Sequence, residues 1–351
     1  YFDYSEFDDA TDKVQQFVEI DSYIPFDLEN GPLLRASLFK IEDEKYLFYY
    51  NMYHIVSDEV SMDILKRDVL SFYSAYQTST EPLLPELRIQ YKDYAFWQQS
   101  NMNSQRRSED QKYWLDKLSG SLPYLDLPKQ KNRPKLKTYN GNTLAAYVSL
   151  ETGKKLKSFC KEKQGSLFMG AISAWYVLFH KYTANQDIIL GTPVAGREHS
   201  DLKDQIGCYI NNIALRQRLL EPTWNFNQVF DNVKKSIIAD YDHQLYPFHK
   251  LAEDLNLFND LSRNQIFDVM FSFHIADENL EKIEVDYTDE ILDLGNERSK
   301  LDILINFYEH QEYLYFTINY NTDIYESKTI KELIQSYRVL LTRLLDTPET
   351  S

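Results

Sequence analysis

Between Asn51 and Leu65 the chain reads NMYHIVSDEVSMDIL, which sets an imidazole, His54, four residues ahead of a carboxylate, Asp58. Histidine is the side chain whose ordinary titration range spans neutral pH, so it can take a proton from an amine or hydroxyl that attacks a carbonyl. The H-x-x-x-D spacing also arises often by chance, and a histidine at a strand end serves equally well as a satisfied structural residue. The choice depends on what holds the ring. Before it, KYLFYYNMY is aromatic and short, the pattern of a buried strand. After it, Leu65, Val69, Leu70, Phe72, Tyr73 and Tyr76 follow helical spacing, with Lys66, Arg67 and Asp68 on the other face. His54 therefore falls at a strand-to-helix turn, with Ser57 and Asp58 available as caps.

Composition limits the chemistry further. The chain has 351 residues, more than one hydrophobic core usually serves, so two subdomains are expected. An aromatic share of 15%, carried by 27 Tyr and 20 Phe, points to strand-rich cores. A net charge of −16 argues against nucleic acid and means that an acidic partner must be attracted by a local surface. Cys160 and Cys208 form neither a disulfide framework nor a metal-ligand pattern; both read as buried small hydrophobes, and no metal site is expected. With no membrane-spanning apolar run and an acidic YFDYSEFDDATD start, a cytoplasmic location and no membrane partner are expected.

Along the chain, LPYLDLPKQKNRPKLKTYNGN (122–142) combines three prolines with a run of basic residues and reads as an extended surface crossing. Helices are expected over Arg106–Leu118, LETGKKLKSFCKEK, SLFMGAISAWYVLFHKYT, WNFNQVFDNVKKSIIADYDHQ and SKTIKELIQSYRVLLTRLL. TLAAYVSL, DIILGTPVAG, IGCYINNIALRQRL, IFDVMFSFHI and YLYFTINYNT read as strands. The order predicts a mixed α/β protein with strands in more than one sheet.

These motifs together resemble the condensation domains of nonribosomal peptide synthetases, relatives of chloramphenicol acetyltransferase. The family signature has two histidines, three variable residues, an aspartate and a glycine; here Tyr53, His54, Asp58 and Glu59 stand at its fixed positions. Five further segments are similar in family order: YKDYAFWQQ, the helix leading into GTPVAGR, IGCYINNIALR, HQLYPFHKL, and the Arg263 segment ending FDVMFSF. PFDLENGPLLRASLF begins at Pro25, partway into the family pattern, so the resemblance implies that the start of the domain is missing.

The resemblance implies two acetyltransferase-like subdomains, 1–105 and 106–351, set in a V around a central tunnel. An upstream donor and a downstream acceptor carrier protein would each insert a phosphopantetheine arm, the domain binding no cofactor of its own, with an adenylation domain adjacent in the same synthetase. His54 would act as base or position the attacking amine, and Asp58 would pair with Arg197 as a structural ion pair. Ser57, Glu59, Asn211, Asn212 and Ser272 are candidates for lining the tunnel; an amide such as Asn211 or Asn212 could instead satisfy a neighbouring carbonyl. Trp97 and Trp114 read as packing residues, and His243 and His249 as structural. Two departures bear on activity. Tyr53 can replace an outward histidine as a packing aromatic, whereas Glu59 adds bulk and a charge favouring the protonated imidazole unless it points to solvent from the first helical turn. The same signature therefore also admits a noncatalytic scaffold that docks carriers or a tailoring enzyme.

Overall fold

The computed structural model describes residues 1–101, 104–128, 131–218, 223–257, 260–275, 290–311 and 313–350. Contacts divide the chain into two compact units, Tyr1–Met102 with Ala195–Ile210, and Asn103–Val194 with Asn211–Ser351.

In the first unit the order is β1 (Phe2–Asp3), α1 (Ala10–Tyr23), β2 (Leu34–Glu42), β3 (Lys45–Met52), a 3-10 turn (His54–Val56), α2 (Glu59–Thr78) and α3 (Tyr91–Ser100). The sheet runs β1-β2-β3, with β2 and β3 antiparallel. One face packs on α1 through Val14, Phe17, Phe39, Leu47 and Tyr49. The other face leaves Leu38 and Phe48 exposed. KYLFYYNMY is thus an edge strand, not the buried strand its apolar run predicts; Tyr46 is 53% exposed.

The α1–sheet contact is fixed by a buried carboxylate. Asp21 accepts hydrogen bonds from Arg35 Nε at 2.7 Å, Tyr49 Oη at 2.8 Å and Asn51 Nδ2 at 2.8 Å. A carboxylate taken from water requires such donors, so Asp21 sets the height of α1 over the strand that leads to His54. Burial, with Asp21 nearby, pushes the Tyr49 phenol up to about 12.

The helix predicted after His54 is present as α2, but its buried side chains are Ser61, Ile64 and Ala75. The aromatic stripe is solvent-facing, with Tyr73 and Tyr76 exposed. Helical periodicity identifies the element correctly and its buried face incorrectly, because the first turn packs on polar loop residues.

The second unit contains α4 (Gln105–Lys117), β4 (Asn140–Val148), α5 (Leu150–Glu162), α6 (Leu167–Thr183), β5 (Asp187–Val194), β6 (Asn211–Arg218), α7 (Phe226–Asp242) and α8 (Phe248–Asp254). It continues with β7 (Val269–Ile275), β8 (Leu292–Arg298), β9 (Ile303–Glu309), β10 (Leu314–Asn321) and α9 (Ser327–Asp346). Its sheet has the order β6-β5-β7-β9-β10-β4-β8, parallel at β5/β7 and β7/β9. Alternate residues Phe271, Ile305, Phe307, Phe316 and Ile318 are fully buried in one core with α6 and α9. Helix α6, apolar on all sides in sequence, is the central helix; Trp175 stacks on Tyr337 of α9 at 4.1 Å.

Two segments depart from expectation. The proline-rich crossing is irregular as predicted, yet it is pinned: Leu125 and Leu127 are buried and Arg133 pairs with Asp302. Residues 129–130 of it lie outside the described residues. The strand expected over IGCYINNIALRQRL begins only at Asn211, and Leu219 lies outside the described residues. Residues 206–210 belong to the first unit, where the backbone amides of Gly207 and Tyr209 bond to Ser61 Oγ and Asp58 Oδ2 instead of a strand partner.

The loop that carries Arg197 enters through Gly196 at φ +65, where the carbonyl of Tyr209 occupies the space an added Cβ would need. Gly120 also has a positive φ, at +77, but an added Cβ there meets nothing within 4 Å. Gly196→Ala should therefore lower the melting temperature more than Gly120→Ala: both incur the left-handed penalty of roughly 1 kcal/mol, and only Gly196 adds a backbone clash. Equal thermal shifts for the two variants would contradict the close approach.

Candidate active site

His54 opens the 3-10 turn that joins β3 to α2. Its approach is fixed by Tyr53 N donating to Leu33 O at 3.0 Å, and by the Tyr53 ring packing edge-on against Phe26 at 5.9 Å. Tyr53 thus has an aromatic packing role where the family signature has histidine. The imidazole is exposed, and its Nδ1 lies 2.7 Å from Ser57 O. A carbonyl oxygen only accepts, so Nδ1 carries the hydrogen and Nε2 of the neutral ring keeps its lone pair. A ring held this way presents one defined basic nitrogen.

Asp58 caps α2, and its side-chain hydrogen bonds go to groups other than His54. Its Oδ1 accepts from Ser61 N at 2.9 Å, Ser61 Oγ at 2.7 Å and Arg197 Nη2 at 2.8 Å, and its Oδ2 accepts from Tyr209 N at 3.0 Å. The two charged side chains are 3% and 5% exposed, so each depends on the other for compensation. Burial works to raise the Asp58 pKa. The hydroxyl of Ser61, the amide of Tyr209, the Arg197 guanidinium and the amide of Ser61 outweigh it and hold the carboxyl below its usual range.

Arg197 is a hub within its own loop. Nη1 donates to Leu202 O at 2.6 Å and Gln205 O at 2.7 Å, and the guanidinium lies 4.2 Å over the Tyr209 ring. The loop is held again by Tyr91 Oη donating to Cys208 O at 2.9 Å and Gln205 Nε2 donating to Ile89 O at 2.7 Å. Tyr94, Leu202 and Tyr209 form the small apolar core beneath these contacts.

Ser61 is the participant that sequence reasoning missed. Its hydroxyl proton is within reach of Asp58 Oδ1 at 2.7 Å and Gly207 O at 2.9 Å, while its oxygen accepts from Gly207 N at 3.0 Å and Arg197 Nη2 at 3.0 Å. The available signal was its place three residues after an aspartate cap, where the first turn's amide is bound.

The remaining candidates separate. Ser57 is buried and contributes its carbonyl to His54, with its hydroxyl directed at Tyr53 O at 3.4 Å. Glu59 is exposed in the first turn of α2. In the second unit, Asn211 donates to Gln244 O at 2.8 Å and Tyr246 O at 2.7 Å and accepts from Phe248 N at 3.0 Å, the carbonyl-satisfying alternative foreseen for an amide here. Asn212 is half-buried opposite Pro193 in the β5–β6 ladder. Ser272 Oγ lies 2.8 Å from His274 Nε2 on β7. His243 bonds Asp110 through Nδ1 at 2.7 Å and stacks on Tyr113, while His249 is exposed. Trp114 is buried and donates to His243 O, whereas Trp97, expected to pack, is 47% exposed against Tyr94. Cys160 is buried, its thiol pushed up to about 12 by desolvation, whereas Cys208 is only half-buried. Among the described residues there is no His/Cys/Asp/Glu group suited to a metal ion, and no helix is long and apolar enough to cross a membrane.

Comparison with known proteins identifies the family. The family model "Condensation domain" matches residues 1–351. Gramicidin S synthase 2 of Aneurinibacillus migulanus is 33% identical over 339 residues, covering 96% of this chain and 7% of the relative. Bacitracin synthase 1 of Bacillus licheniformis is 33% identical over 341 residues, covering 97% of this chain and 6% of the relative. The chain thus spans a small part of these curated relatives. The X-domain from teicoplanin biosynthesis superposes with a TM-score of 0.84 at 21% identity, covering 96% of this chain and 77% of that one. It is also known in complex with OxyB, with a TM-score of 0.83. A four-domain nonribosomal peptide synthetase bound to AMP and glycine gives 0.81 at 23% identity, covering 99% of this chain and 27% of that one. These structures share the fold.

Two consequences are measurable. Arg197→Ala leaves a buried carboxylate without its counter-charge and should destabilise the protein by about 3–5 kcal/mol, seen as a lower denaturation midpoint; an unchanged midpoint would contradict the pairing. Because the folded Asp58 pKa lies below its unfolded value near ~3.9, its stabilising contribution is fully present above about pH 5 and is lost as pH falls through the folded value. Asp58→Asn should be less stable at neutral pH and lose less stability on acidification than wild type. Parallel stability curves from pH 7 to 2 would contradict this. On this evidence the chain belongs to the condensation domain family of the nonribosomal peptide synthetases.

Proposed function

We propose that this chain is an amide-forming condensation domain. A free amine, carried as an aminoacyl thioester on a downstream acceptor carrier, attacks an acyl or peptidyl thioester on an upstream donor carrier. A C–N bond forms, the donor C–S bond breaks, and the amine proton passes by way of His54 Nε2 to the departing thiolate. The product remains thioester-linked to the acceptor. Both arms are phosphopantetheine, the domain supplies no cofactor, and an adenylation domain in the same synthetase would charge a carrier. The synthetases among its relatives support these partners.

The observation that carries this reading is the exposed imidazole whose Nδ1 is engaged by Ser57 O. It has a basic nitrogen without needing a carboxylate relay, which suits Asp58, whose oxygens are occupied elsewhere. General-base assistance contributes ~10²–10⁴-fold, and holding two tethered reactants together contributes through effective concentration.

A second reading, a noncatalytic scaffold for carriers or a tailoring enzyme, is favoured by Glu59 where the family signature has glycine and by the likeness to the X-domain fold. The exposed position of Glu59 in the first turn of α2 supports the active reading, since a carboxylate is locally favourable there.

With both carriers loaded, His54→Ala should form amide at least ~10²-fold more slowly while melting like wild type. Undiminished product would remove His54 from the mechanism. Glu59→Gly should leave the rate nearly unchanged from pH 6 to 9 and cost about 0.3–1 kcal/mol of stability. A folded wild type that forms no amide at any of these pH values would establish the scaffold reading instead.

A further inference from the structure

Residues 24–33 join α1 to β2, and across 22–30 every side chain is exposed except that of Phe26, which is half-buried. Two contacts account for its burial. The Arg35 guanidinium lies over its ring, with Cζ 3.9 Å from the centroid, and the Tyr53 ring meets it at 5.9 Å and 74°. Both geometries suit an aromatic ring, whose face is negative and whose edge is positive.

The outer members of this series are themselves held. Arg35 Nε donates to Asp21 Oδ1 at 2.7 Å, while Nη2 donates to Asp21 O at 2.9 Å and Ile24 O at 3.1 Å, the carbonyls at the end of α1. A planar guanidinium can bond a carboxylate and a helix end and still offer a face to a ring, which an ammonium cannot. At the other end, Tyr53 immediately precedes His54, and its carbonyl accepts from Val56 N at 3.1 Å and Ser57 Oγ at 3.4 Å. The turn that sets Ser57 O against His54 Nδ1 is therefore built on Tyr53.

We propose that Arg35 and Phe26 are positioning residues for His54, acting through Tyr53. The buried Asp21 fixes Arg35, Arg35 fixes the Phe26 ring, Phe26 fixes the Tyr53 ring, and Tyr53 fixes the turn that orients the imidazole. The aromatic that stands at 53 in place of the signature's histidine is thus the coupling element between the α1–β2 loop and the base. The effect on the orientation of His54 rests on these contacts alone; the effect on rate rests on the proposed condensation reaction. Misplacing a reacting group by about 1 Å costs ~10²-fold in rate, and loss of one contact in this series is expected to cost ~10-fold.

The test uses the full chain and three single variants. Phe26→Leu keeps an apolar side chain and removes both ring contacts, and Arg35→Lys keeps a cation for Asp21 but removes the planar face. Ile41→Ala removes buried packing near the opposite end of β2, about 20 Å from Arg35, without touching the series. Nitrogen-15 shifts of neutral His54 should show the preference for protonated Nδ1 weakened in Phe26→Leu and Arg35→Lys, and retained in Ile41→Ala even though that protein melts below wild type. With both carriers loaded, the first two should lower kcat ~10-fold and leave KM for each carrier unchanged, the split expected of a displaced base. The combined Phe26→Leu/Arg35→Lys variant should lose little more than either alone, since one series is broken. Wild-type imidazole shifts in Phe26→Leu, an equal change in Ile41→Ala, an undiminished kcat in Phe26→Leu, or losses that multiply in the combined variant would each overturn the positioning role. Altered shifts in Phe26→Leu and Arg35→Lys alongside a wild type that forms no amide would uphold it and overturn the catalytic reading.

Discussion

A carboxylate and a guanidinium that are both almost wholly removed from water cannot be stable apart, and Asp58 and Arg197 stand 139 residues apart in the chain. Their pairing ties the loop after β5 to the first turn of α2. Such a pair adds little net stability compared with apolar residues of the same volume; its effect is positional. Each Asp58 oxygen has a specified donor, and Ser61 converts the pair into a junction by bonding both charged partners and both backbone groups of Gly207. A shift of one residue in this loop would strand several buried polar groups at once.

The proposed chemistry follows from this division of labour. Asp58 and Arg197 are spent on structure, so the turn between β3 and α2 is held from its C-terminal side while Asp21 and Leu33 hold it from the other. His54 is left exposed with one nitrogen committed to Ser57 O. As the proposed base, His54 needs neither burial nor a charged neighbour; its orientation comes from a backbone carbonyl. The proposed amide transfer asks little more of the protein than a placed base and two tethered reactants.

Much of this was legible in the sequence because the relevant signals are local. The strand-turn-helix around His54 followed from an aromatic run, a capping aspartate and helical spacing, and α6 from its all-round apolarity. The partnership of Asp58 with Arg197 came from the family resemblance, since nothing local connects residues so distant in sequence. Burial was less legible. Tyr73 and Tyr76 are apolar in pattern but exposed, and IGCYI alternates like a strand although its amides turn to Ser61 and Asp58. Periodicity reports a conformation and a face; it does not report which partner covers that face. The polar contacts of Asn211 depend on carbonyls more than thirty residues away and carry no local signature.

The central claim, that this junction presents one defined nitrogen of His54, can be tested on the resting protein. Nitrogen-15 chemical shifts of the imidazole in the neutral form distinguish the two tautomers directly. The geometry predicts protonated Nδ1 and bare Nε2 in wild type, with that preference weakened in Arg197→Ala. A neutral His54 carrying its proton on Nε2, or an equal mixture of tautomers in wild type, would contradict it.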